Sequence, residues 1–360
     1  MKGEENRSSH TPGQSGAQHA APLQNSGYNS ADAKRNDPVI LHINESEVGK
    51  VFTMPLAIEA VEKISKRQAA GEVLVHPRKR FELPESAFFH NMAAADVVGK
   101  FVATKQYTYV GGKLKFLVCL WSTGSGELLA LMEADKLGQM RTGAASGVAS
   151  KYLARNDAAT AGIVGTGGQA RTQLEAIAAV RKLNSVKVYG RNAERREKFA
   201  SEMSSRLGIT VRSVASSAEA TSDVAVLCTA TTASAPVVSG DHVSPGTHIN
   251  AIGANHMKKR ELDAATVAKC SRIYVDSIEQ SRLEAGDLVL GFAGHEQRWD
   301  TVRELSSLVA GICPGRSDEE QITLFISNGI AAWDLAAAVC VYRLEQEQKL
   351  GRQLPLWQSG

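Results

Sequence analysis

Between Val73 and Leu131 the apolar residues fall into short runs: Val73-Leu74-Val75, Phe88-Phe89, Phe101-Val102-Ala103, Phe116 to Leu120 and Leu128 to Leu131. Gly111-Gly112 and Gly124-Ser125-Gly126 punctuate them. Such a stretch predicts short strands joined by turns, in a largely antiparallel sheet or open barrel. Ahead of it, Leu56, Ile58, Val61 and Ile64 recur at helical spacing, which predicts a helix over Pro55–Ala70 stopped by Gly71. Ordered chain is expected to start near Val39-Ile40-Leu41. A further helix is expected from Asp135 to about Ala154. After that the texture alternates. Strand-like runs at Ala161–Val164, Val186–Tyr189, Val211–Val214, Val224–Thr229, His248–Ile252 and Ile273–Asp276 are separated by helix-like segments such as Gln173–Leu183 and Ala193–Leu207. This alternation predicts an α/β fold with a doubly wound parallel sheet. Residues 322–348 read mainly as one helix after Asn328-Gly329. There is no internal repeat.

Residues 1–36 have another character. Sixteen of them are Ser, Gly, Asn or Gln, and Leu23 is the only residue among Leu, Ile, Val and Phe. So little apolar surface cannot offset chain entropy, so this segment is expected to be a disordered tail. The whole chain has 360 residues, enough for two domains. Its 41 basic and 38 acidic side chains nearly balance, which argues against nucleic acid or an anionic membrane as partner. No window reaches the roughly 18 consecutive apolar residues of a membrane span, and the first residues lack the apolar core of a secretory signal. The cysteines at 119, 228, 270, 313 and 340 are too widely spaced for CxxC sites and suit a reducing cytoplasm. The nine histidines show no ligand spacing, so no metal is expected.

Gly165-Thr166-Gly167-Gly168-Gln169-Ala170 fits the dinucleotide fingerprint G-x-G-x-x-A. The pattern alone is weak, but here it directly follows the apolar strand Ala161–Val164 and opens a helix, as the fingerprint requires. Gly165 would make the tight turn, Gly167 would admit the pyrophosphate, and Ala170 would let helix and strand pack closely. About 20 residues on, an NAD site usually carries an acid for the ribose hydroxyl. Here the strand Val186–Tyr189 runs instead into Gly190-Arg191-Asn192, with Arg195 and Arg196 beyond. A guanidinium suits a 2′-phosphate. NADP is therefore the expected cofactor, with NAD possible.

Arg141 lies on the apolar stripe of its helix with Leu137, Ala144 and Val148. A guanidinium there requires an anionic partner, either a structural carboxylate or a bound anion. Arg78 and Arg80 share a strand face by period two, and Lys105 shares a face with Phe101, Ala103 and Tyr107. With Arg141 these cations would form a pocket for a small carboxylate. Ala251-Ile252-Gly253-Ala254-Asn255 lies at a strand end where open α/β sheets bind ligands. Asp287 reads either as a pocket acid or as a loop residue capping amides.

Arg141-Thr142-Gly143-Ala144-Ala145, Gly165 to Ala170, Pro245 to Gly253, Val275-Asp276-Ser277, Gly286-Asp287 and Ser327-Asn328-Gly329 together resemble the ornithine cyclodeaminase/mu-crystallin family in order and spacing. The resemblance spans about residues 39–350. It implies a central Rossmann-type domain, residues 152–295, inserted in a second α+β domain. That domain, built from residues 37–151 and 296–360, would bind substrate and form a homodimer. By similarity Lys105 and Arg141 bind a small amino- or imino-acid substrate, and a third cation maps on Arg78 or, with a short gap, Arg80. Lys105, Arg141 and Asp287 are the expected catalytic residues. Thr142, the loop Gly165 to Ala170, Arg191, Asn192, Thr229 and Gly253 are the expected cofactor contacts. One departure bears on activity. Ornithine cyclodeaminases and archaeal-type alanine dehydrogenases of the family carry Asp where this chain has Asn255, which is expected to touch substrate. The chain also lacks the His-Pro-x-Asn stretch of true cyclodeaminases after Lys105. The expected activity is an NADPH-dependent reduction of a small cyclic imino acid. The alternatives are ornithine cyclodeaminase, an alanine-type dehydrogenase, and a non-catalytic, crystallin-like NADPH-binding protein.

Overall fold

The computed structural model describes residues 40–356, so the expected tail lies outside the described residues. The first sheet begins with β1 (Ile40–Ile43), β2 (Val73–Glu82), β3 (Phe88–Asp96), β4 (Phe101–Val110), β5 (Lys113–Ser122) and β6 (Leu128–Glu133). The strands outrun the apolar runs that betrayed them because only one face is buried, so buried and part-exposed positions alternate, as in Ala103-Thr104-Lys105-Gln106 of β4. Register places Lys105 opposite Met92 and Val118, and Tyr107 opposite His90 and Phe116, so all six share one face. In β2 the pairing with β3 slips between His76 and Lys79. Pro77 lies within that irregularity, and beyond it Arg80 pairs with His90, so Arg80 keeps the face of His90.

Helix α1 (Glu45–Val51) is closed by a capping box between Asn44 and Glu47. Helix α2 (Met54–Ala69) follows. Helix α3 (Asp135–Leu153) is buried on nearly every side and packs on both α2 and α4 (Gly168–Val180). It joins the first sheet to the second.

The second sheet is wholly parallel. Its strands are β7 (Thr160–Val164), β8 (Ser185–Tyr189), β9 (Thr210–Ser213), β10 (Val226–Thr229), β11 (His248–Ala251), β12 (Arg272–Val275), β13 (Arg303–Glu304) and β14 (Thr323–Ile326). Their order is β13-β12-β14-β11-β10-β7-β8-β9. Helix α5 (Ala193–Leu207) starts at the Asn192 cap and stops at left-handed Gly208. β13 and β14, beyond residue 295, come from the segment that the sequence assigns to the other domain and pair in this sheet. After β12 the chain returns twice to the parallel sheet, as β13 at its edge and as β14, whose buried run Thr323-Leu324-Phe325-Ile326 fits the gap between β11 and β12. The helix expected after Asn328-Gly329 runs over Ala331–Gln348. It packs across β3 and β4 and against α2 and α3. Finally β15 (Arg352–Leu354) completes the first sheet in the order β15-β1-β6-β5-β4-β3-β2. Only β1 beside β6 is parallel there.

Candidate active site

At the end of β7, Gly165 has φ +119°, and a Cβ there would lie 2.4 Å from the Ala230 carbonyl oxygen. Only glycine fits this turn. Gly167 caps α4 without any side-chain hydrogen bond, and nothing lies within 4 Å of the position its Cβ would take. The first amides of a three-turn helix therefore open onto space beside a bare backbone, the cradle a diphosphate requires. The loop accordingly fits a dinucleotide. Among the arginines after β8, Arg196 donates to the Gly190 carbonyl at 3.2 Å, whereas Arg191 is exposed. Asn192 accepts from the Arg195 amide at 2.8 Å as the cap of α5. Thr142 is buried and donates to Gly138 within α3 at 2.7 Å.

The strand ends are held by a carboxylate that sequence reasoning missed. Glu261 accepts from Thr229 Oγ1 at 2.8 Å, from the Thr231 amide at 2.6 Å and from the Gly253 amide at 2.7 Å. It ties together the C-terminal ends of β10 and β11. Asp287 takes the amide-capping role of its two expected roles: its Oδ1 accepts from the Glu261 and Leu262 amides at 2.8 Å each. It is fully buried, and burial pushes its pKa up to about 7. Asp287 thus supports Glu261 rather than standing among the cations described next.

Those cations converge on the inner face of the first sheet. Lys105 Nζ and Arg141 Nε both donate to Asp334 Oδ1, each at 2.9 Å. Arg78 donates to Glu284 at 2.9 Å and to the Asn328 and Gly329 carbonyls at 2.7 and 3.2 Å. Arg78 Nε and Arg141 Nη1 are buried without a protein partner. Burial, reinforced by the charges of Arg141 and Arg78, lowers the Lys105 pKa to about 8 although Asp334 opposes the change. Burial acts on Asp334 in the other direction, but Arg141 and Lys105 outweigh it and hold the carboxyl below its ordinary value. Asp276, raised to about 6 by burial, accepts from the Gly329 amide and fixes the turn beside Arg141. A Cβ on Gly329 would lie 2.6 Å from Arg141 Nη1.

Two consecutive residues of α3 join this cluster to the glycine loop. A Cβ on Gly138 would lie 2.9 Å from Lys105 Nζ, and the side chain of Gln139 comes within 3.2 Å of where a Gly168 Cβ would be. Arg80 is not part of the cluster; it is paired with Glu82 at 2.7 Å and lies over the Phe88 ring. Asn255 is exposed, with Lys259 Nζ 3.5 Å from its side-chain oxygen. Asp334 was missed, yet it carried the same signal as Arg141: a lone acid in the apolar run Ala331 to Val341. Glu284 and Glu261 carried no such signal. Among the described residues, no group of His, Cys, Asp and Glu could hold a metal ion, and no helix is long and apolar enough to cross a membrane.

Fold and site define a dinucleotide-dependent enzyme with a buried cationic cluster next to its glycine loop. The chain belongs to the ornithine cyclodeaminase/mu-crystallin family, whose profile matches residues 40–349. It is similar to a Δ1-pyrroline-2-carboxylate reductase of Bacillus cereus, 36% identical over 239 residues that make up 66% of this chain and 73% of the relative. Among solved structures it resembles the Δ1-pyrroline-2-carboxylate reductase of Thermococcus litoralis in complex with NADH and L-proline. That match has a TM-score of 0.84 and 36% identity and covers 88% of this chain and all of the other. An archaeal alanine dehydrogenase dimer with bound NAD matches with a TM-score of 0.83 and 32% identity over 89% of this chain and 100% of its own.

Proposed function

We propose that this protein is an NAD(P)H-dependent reductase of small cyclic imino acids, of the Δ1-pyrroline-2-carboxylate or Δ1-piperideine-2-carboxylate type. The observation that carries this reading is the cluster itself. Three buried cations, Arg78, Lys105 and Arg141, share two carboxylates and leave two N–H groups unpaired, one residue of α3 away from the nucleotide loop. A substrate carboxylate supplies the missing charge and accepts from Arg78 Nε and Arg141 Nη1. Lys105, anchored by Asp334, donates to the imine nitrogen and keeps it protonated and electrophilic. A nicotinamide, when bound, supplies the hydride. Orientation and exclusion of water are the chain's own contribution. The relatives named for the reduction of Δ1-pyrroline-2-carboxylate support the substrate class. Incubation with NADPH and a panel of cyclic imines is expected to consume the nicotinamide absorbance, with little or no ammonia released from ornithine. Proline formed from ornithine would favour the cyclodeaminase, and saturable NADPH binding without turnover would favour a crystallin-like role.

For the cofactor we propose NADP over NAD, on the strength of exposed Arg191 where an acid would serve NAD. Arg191→Ala is expected to weaken NADPH about tenfold and NADH little, as fluorescence titration would read. Equal losses would make Arg191 structural. For assembly we propose a homodimer through the sheet face opposite Lys105, where Leu74, Phe81, Val110 and Leu117 are exposed. Sedimentation is expected to give the mass of two chains, and of one chain for Leu117→Asp.

A further inference from the structure

We propose that Phe116, Tyr107 and His90 form the subsite for the substrate's ring, and that this wall selects a flat, uncharged imine ring over open-chain imines and over amino acids with a distal ammonium. The inference rests on the imine-reductase reading above. The wall begins at the cluster. Lys105 Nζ lies 5.1 Å from the centroid of the Phe116 ring. From there Phe116 and Tyr107 are 4.9 Å apart between centroids, and Tyr107 and His90 4.6 Å. Strand register puts these rings on the same sheet face as Lys105. The Tyr107 hydroxyl lies in the field of Arg78, Glu284, Arg141 and Asp334, so the wall shares the electrostatic environment of the carboxylate site.

The wall is neutral. Burial raises the Tyr107 pKa, so the phenol keeps its proton. Burial, with the charges of Arg78 and Arg80, pushes His90 down to about 3. His90 Nδ1 and the Tyr107 hydroxyl are hydrogen-bonded to each other, while His90 Nε2 is buried without a protein partner. The carboxylates acting on Tyr107 are already committed, Glu284 to Arg78 and Asp334 to Lys105 and Arg141. With the substrate carboxylate in place three cations already balance three carboxylates, so a distal ammonium, even beside the unbonded Asp334 Oδ2, finds no negative charge in excess and meets two nearby guanidiniums. A planar ring can lie against aromatic faces and cover them. The imine of a short 2-oxo acid leaves the same faces bare.

The test compares kcat/KM of the full chain for Δ1-pyrroline-2-carboxylate and for pyruvate with ammonia, at saturating NADPH. The unaltered protein is expected to prefer the ring. Tyr107→Leu is expected to shrink that preference about 10- to 100-fold, the range open to one pocket contact. Tyr107→Phe keeps the ring face and is expected to retain most of the preference, which separates stacking from the hydroxyl and from folding. Proportional losses on both substrates in Tyr107→Leu would overturn the subsite alone. Turnover of neither imine by the unaltered protein would overturn the reductase reading and the subsite with it.

Discussion

Asp334→Asn is expected to lower kcat/KM for a cyclic imine about 100- to 1000-fold, the usual scale for losing a fixed electrostatic element of a site. The substitution preserves shape and removes charge. Asp334 Oδ1 is the common acceptor of Lys105 Nζ and Arg141 Nε, so one oxygen sets the positions of both cations. Without it two buried positive charges face each other, and Lys105 sheds its proton more readily still. The amide oxygen of Asn can still accept from both donors, but it carries no formal charge, and its NH2 group can offer a cation nothing. Breaking a buried ion pair by removing one partner typically costs about 3–5 kcal/mol. A lower melting temperature should therefore accompany the kinetic loss, and added proline or another small carboxylate should recover part of it by restoring negative charge to the cluster. Activity within threefold of the unaltered protein would show that the cluster only holds the sheet to the C-terminal helix.

Where local signals were complete, the sequence was easy to read. Helix α5 was delimited at both ends because Asn192 caps it and Gly208 ends it in the left-handed region. The glycine loop was legible because its strand and helix flank it directly. Short elements escaped for a physical reason. α1 has seven residues, fewer than two helical repeats, and β14 has only four, a short turn ahead of a long helix. In the site, Arg141 announced itself as a charge on an apolar stripe, and Asp334 is its counterpart. Two such misplaced charges of opposite sign are the sequence trace of a buried ion pair, even 193 positions apart. Arg78 and Arg80 could not be separated, because only their long-range partners distinguish them: Arg78 meets Glu284, Asn328 and Gly329, whereas Arg80 pairs with Glu82. Asp287 was ambiguous because a capping carboxylate and a pocket acid use the same residue type. Only the amides of Glu261 and Leu262 decide between them.

Lys105→Met should remove most turnover, about 100-fold or more if it supplies the proton of the reacting nitrogen. Its pH signature separates that role from simple packing. Burial and the neighbouring guanidiniums bring the Lys105 pKa from 10.5 to about 8. Below that value the ammonium is charged and can donate; above it the free amine carries a lone pair and can no longer protonate an imine. The rate should therefore be flat at neutral pH and fall about tenfold per unit above the limb near 8. In kcat/KM this limb belongs to free enzyme or free substrate, so the substrate's own ionisation must be separated from it. Lys105→Arg does so. A guanidinium stays protonated throughout the range, and its limb should move out of it even though its different geometry lowers the plateau. If the limb stays near 8 in Lys105→Arg, the titrating group is the imine, and Lys105 only positions the carboxylate. If the limb leaves with the lysine, the proton on the reacting nitrogen is the one that Asp334 and the two arginines have tuned.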